Sequence, residues 1–179
     1  MKSFPPAWSV DLVLEVLWGW SPVKSLSLRL LTMKTAMLLA LVSGCRCSSL
    51  TLLSVDPDFC DLSASRARLI PRGLEKTTRP EHLAQVIVLE SYVTDVVLGP
   101  AAHLRHYVHK TQTLRSSDQL FVTTVEPYRP VSTQTVASWI RTVIRQSGQE
   151  GSVGSTRSAS PSKAAHAGAR LKEVLAAAD

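Results

Sequence analysis

The sequence predicts a mixed α+β domain, mainly helical, with a small antiparallel sheet. Three observations carry this. Residues 33–42 are apolar on almost every side of a would-be helix, the pattern of a helix buried in a core. Two short runs, 67–70 and 85–89, are bounded by turn residues, and the second carries β-branched Val86, Ile87 and Val88, so they are expected to pair as antiparallel strands. Thr133–Gln146 places Val136, Ile140, Val143 and Ile144 on one helical face, with Arg141 and Arg145 elsewhere.

In chain order, residues 1–6 form a loose start. Ser9 is a candidate cap for a short helix over 10–17, flanked by Trp8, Trp18 and Trp20, whose rings are expected to anchor packing. Ser21-Pro22 is a break, so residues 1–24 read as an N-terminal segment and 25–179 as the main domain. Ser27 caps the organising helix, and Gly44 ends it, because glycine accepts the left-handed conformation of a helix stop. Arg46 then falls at the corner between two apolar elements. There a guanidinium is either paired or faces a cleft that binds something anionic.

Asp56-Pro57-Asp58 marks a turn. Between the two strand candidates lies a polar connector with Arg72, Lys76 and Arg79. It reads either as a solvated loop or as a basic finger reaching a phosphate. A helix starts at Pro100, with Leu104, Tyr107 and Val108 on its buried face. His103, His106 and His109 recur every three residues along it. They fan over more than one face without a supporting carboxylate or cysteine, and so read as a wetted basic face rather than a metal site. Residues 119–124 suggest a third strand, Ser132 caps the amphipathic helix, 147–155 is a Gly/Ser-rich linker, and 162–178 forms a last helix.

Composition narrows the class. The 179 residues suit one core, and no internal repeat is visible. Twenty Lys and Arg against fourteen Asp and Glu give a net charge of +6, modest support for an anionic partner such as nucleic acid. The three cysteines, Cys45, Cys47 and Cys60, form no C-x-x-C pair and argue for a reducing, intracellular compartment, nuclear or cytoplasmic. The stretch MKTAMLLALVSGC resembles an export leader ending in a lipoprotein box. Met33 is internal, however, and 36–42 is far shorter than the roughly 18 apolar residues of a membrane span, so a core helix without membrane association is expected.

The phrases WSVDLVLEVL, SLRLLTMKTAMLLALVSGCR, LSVDP, LRHYVHKT, LRSSDQLFV, PVSTQTVASWI and GSTRSASPSKAAHAG, in this order from Trp8 onward, resemble the catalytic domain of tyrosine recombinases. In particular they resemble the integrases of DIRS-like retroelements. It implies a recombinase-like catalytic domain, DNA as partner, no metal or cofactor, and DNA breakage and rejoining through a phosphotyrosine. By the same resemblance, Arg46 matches the first catalytic arginine, Lys76 the lysine of the hairpin, and Arg157 the second arginine. Guanidinium forks bind two phosphate oxygens at once, and the lysine would protonate the departing 5′ oxygen.

Departures from the family pattern are equally legible. Gly154 replaces the histidine paired with the second arginine, and Ser49 replaces the acidic residue three positions after the first. Tyr92, Tyr107 and Tyr128 all precede Arg157, so none matches the nucleophile. The resemblance therefore implies a truncated, degenerate copy with strand cleavage absent from this chain. The alternative is a non-catalytic DNA-binding or interaction remnant of a mobile element.

Overall fold

The computed structural model describes residues 8–73, 86–91 and 97–151. Its centre is α2 (Leu28–Ser43), in which Leu31 to Leu39 and Leu41 are all buried. Both ends follow the local rules. The Ser27 hydroxyl accepts from the Leu30 amide at 3.3 Å, and Gly44, at φ 62°, stops the helix in the left-handed region. The hydroxyls that burial would strand are satisfied within the helix. Thr32 donates to the Leu28 carbonyl, Thr35 to Leu31 and Ser43 to Leu39. Lys34 is also fully buried, and its ammonium donates to the Trp20 carbonyl at 2.7 Å.

Against α2 pack α3 (Cys47–Leu50), α4 (Pro100–Thr111) and α5 (Thr133–Gln146), and α1 (Val10–Gly19) packs on α5. Val13, Leu14 and Leu17 of α1 enter the same core. Phe121 links two of the helices. Its ring lies 5.5 Å from that of Tyr107 on α4 and 6.1 Å, edge-on, from that of Trp139 on α5, distances at which aromatic pairs attract. α5 is capped by Ser132, whose hydroxyl accepts from the Thr135 amide, as its sequence predicts. Ser9 holds the N-cap position of α1 without a side-chain cap bond. Its backbone amide and carbonyl are instead both bonded to the Gln149 side chain, so the start of the Gly/Ser-rich stretch is tied down.

The sheet is antiparallel in the order β1 (Cys60–Leu62), β2 (Arg66–Leu69), β3 (Ile87–Glu90). β2 and β3 pair with Ala67 opposite Leu89 and Leu69 opposite Ile87, all four buried, while Arg66, Arg68, Val88 and Glu90 face out. This is the period-two alternation of a sheet with one covered face.

The third strand differs from expectation. Residues 119–124 do not join the sheet and make only isolated bridges, Gln119 with Ser54 and Val122 with Pro130. Leu120, Phe121 and Val122 are all buried, so the segment runs through the core instead of alternating across a sheet. Its backbone is shared between two loops, with Leu120 N–H donating to Leu53 and Phe121 C=O accepting from Val131. The strand that completes the sheet is β1, a three-residue segment without an apolar alternation. The last helix expected over 162–178 lies outside the described residues. No described helix is long and apolar enough to cross a membrane.

Candidate nucleic-acid interface

Gly44 turns the chain out of α2, and two residues later Arg46 occupies the N-cap position of α3. Its carbonyl accepts from the Ser49 and Leu50 amides, which fixes the backbone at the corner. The side chain is partly buried, and its guanidinium has no hydrogen bond or ion pair among the described residues. Ser49, in the place where an acidic partner would be expected, is buried and its hydroxyl carries no charge. A guanidinium withdrawn part-way from water without a carboxylate is suited to an external anion with two oxygens in one plane.

A second cation stands nearby. α3 packs against α5, and burial pushes the Cys47 thiol up while its own backbone hydrogen bond and then the charge of Arg141 pull it down. Arg141 is exposed on α5 and close enough for its field to reach the residue after Arg46. Sequence periodicity places Arg141 off the apolar face. It cannot reveal that α5 folds back onto α3, which is a tertiary fact. Lys76 and Arg157 lie outside the described residues, as do Arg79 and Tyr92.

Other candidates resolve into structural roles. Arg72, the first cation of the polar connector, is turned to the protein. Its guanidinium stands 4.0 Å from Asp56 and 3.9 Å from Asp118, and 4.8 Å over the Phe59 ring. It is not a free phosphate finger. Tyr107 is fully buried, its hydroxyl accepts from the Val122 amide at 3.2 Å, and burial pushes its pKa up, so it cannot reach a scissile phosphate.

The three histidines of α4 separate. The expectation of a wetted face holds for His106 and His109, which are partly buried and exposed, but not for His103. That ring is buried, with Nδ1 against the Gly99 carbonyl at 2.8 Å, and burial foremost pushes its pKa down to about 4. Each three-residue step turns the series by only about 60° around the helix, so it drifts from the side that α2 covers, where His103 lies, through half-buried His106 to exposed His109. Among the described residues no three His, Cys, Asp or Glu side chains gather as a metal site.

No protein-family model matches the chain, and no curated protein matches its sequence. Solved structures do match. The XerA recombinase superposes with a TM-score of 0.56 at 18% identity, over 88% of this chain and 49% of its own. A lambda integrase (75-356) dimer bound to a COC′ core site gives 0.52 at 17% identity, over 97% of this chain and 54% of that one. The lambda integrase catalytic core gives 0.50 at 18% identity, over 93% and 86%. The chain thus spans about half the length of XerA and most of the integrase core. Its mixed helical architecture with a three-stranded antiparallel sheet is the tyrosine-recombinase, or integrase, catalytic-domain fold.

Proposed function

We propose that this chain is a DNA-binding domain of DNA recombination and integration, descended from the integrase of a DIRS-like mobile element, and that Arg46 receives a backbone phosphate. The observation that carries this reading is the Arg46 guanidinium, partly buried and without a protein acceptor among the described residues, at the corner of a recombinase-type core. Arg141 adds charge to the same corner. Lys76 and Arg157 are proposed to complete the site, the lysine as proton donor and the arginine as the second phosphate clamp.

For the 179-residue polypeptide we expect binding without cleavage. In-line attack needs a tyrosine hydroxyl held against the phosphate. Tyr107 is locked in the core, and Tyr128 sits in a tight turn at φ 53°. Ser49 supplies no carboxylate to orient Arg46. These features favour the non-catalytic DNA-binding reading over strand exchange by this polypeptide.

Two measurements test the proposal. Titration with a labelled duplex should show sequence-independent binding that falls steeply between low and moderate salt, as phosphate contacts release counterions. Equal affinity at both salts, or none at low salt, would refute it. Incubation with a nicked suicide duplex should give no adduct that survives denaturation. An adduct mapping to Tyr92, Tyr107 or Tyr128 would overturn the non-cleaving part.

A further inference from the structure

α4 presents a basic cluster that the Arg46 site does not use. His106, His109 and Lys110 lie three and four residues apart and therefore share one side of the helix, while His103, Leu104, Tyr107 and Thr111 take the core side. The Lys110 ammonium donates to the Leu26 carbonyl at 2.8 Å and holds the end of α4 against the 3-10 turn Val23–Ser25, which carries Lys24. Burial lowers the pKa of His106, and the charges of Lys110, His109 and Lys24 lower it further, so all three stand within electrostatic reach of its ring.

No carboxylate lies on α4 or on that turn. The other elements packed against α4 bring Arg29 and Lys34 from α2, and from β3 a single acidic residue, Glu90. Like charges gathered in this way repel one another, and an anion among them would relieve that. Four donors from two elements match the three or four oxygens of a phosphate better than the two of a carboxylate.

We propose that Lys24, His106, His109 and Lys110 form a second phosphate-binding site, on α4 and the preceding turn and distinct from Arg46. The phosphate belongs either to a nucleic-acid backbone or to a free anion. Binding draws a proton onto His106, whose ring the neighbouring cations otherwise hold neutral, so affinity rises as pH falls. This site stands or fails independently of the DNA reading of Arg46.

The test follows the histidine ring signals by NMR in the full chain carrying Arg46→Gln, which weakens the other site, with ionic strength held constant by sodium chloride. One arm adds sodium sulfate, a tetrahedral oxyanion like phosphate whose charge does not change over the pH range compared, and the other a short single-stranded oligonucleotide. Sulfate should shift the His106 and His109 signals and bind about fivefold more tightly at pH 5.8 than at pH 8.0. Lys24→Gln should weaken binding about threefold, and thermal unfolding checks that its fold is intact. His106→Gln, followed through the His109 ring signal, should remove the pH dependence. A response to the oligonucleotide as well identifies a nucleic-acid backbone as the source, and a response to sulfate alone a free anion; either supports the site. Unmoved histidine signals in both arms would overturn it, as would a pH dependence that survives His106→Gln.

Discussion

Arg115 and Arg46 both stand partly buried beside a helix end, yet the protein treats them in opposite ways. Arg115 donates to the Gln119 and Leu120 carbonyls and to the Thr111 hydroxyl, joining the end of α4 to the core segment that follows. Arg105 is likewise occupied, by the Ser63 carbonyl and the Ser91 hydroxyl. Arg46 has no such acceptor among the described residues. A guanidinium has five donors in a fixed fork, so the number already taken up by the fold separates an arginine that builds structure from one left for a ligand.

Four predictions break or sharpen this contrast, from the largest effect to the smallest. Arg115→Met should cost about 3 kcal/mol, because it strands the Gln119 and Leu120 carbonyls in a partly buried place. Urea unfolding checks this, and a loss below about 1 kcal/mol would mean that water replaces the guanidinium there.

The second uses pH. The folded-state pKa of His103 is held at about 4, against an ordinary value of 6.5, so the folded chain binds its proton less readily than the unfolded chain. The associated stability is full above pH 6.5 and is lost as pH falls toward 4, in total about 3 kcal/mol. Denaturation midpoints measured from pH 7 to 4.5 should show this slope, and His103→Gln should flatten it. A slope that persists in the variant would assign the acid sensitivity to other groups.

The third returns to Arg46. Arg46→Gln should leave stability within about 0.5 kcal/mol and weaken duplex binding roughly tenfold, with a shallower salt dependence. The reverse pattern, unfolding without loss of binding, would place it with Arg115. The smallest effect is expected at Arg72. Its ion pairs, with side chains 46% exposed on Arg72 and 27% and 64% on Asp56 and Asp118, predict a loss under about 1 kcal/mol for Arg72→Gln and an unchanged duplex affinity.

Local chemistry made much of the fold legible. Ser27, Gly44 and Ser132 act at the helix ends where their side chains or conformational freedom suggest, and β2 and β3 alternate as their residues do. What escaped depends on distant partners. β1 is a strand because β2 lies beside it, and Leu120 to Val122 leaves the sheet because Leu53 and Val131 claim its backbone. The burial of His103 follows from the way α4 lies on α2. The site divides in the same way. The Gly44 break placed Arg46 at its corner, whereas the approach of Arg141 required α5 to fold onto α3.

The Gln149 side chain, bonded through both its oxygen and its nitrogen to the backbone of Ser9, has a practical consequence. Two points 140 positions apart in the chain meet there, so the polypeptide between them starts and finishes at one spot on the surface. A segment with adjoining ends can be moved as a cassette: spliced into a surface loop of a carrier protein, it would ask that loop to open by little more than the width of one side chain.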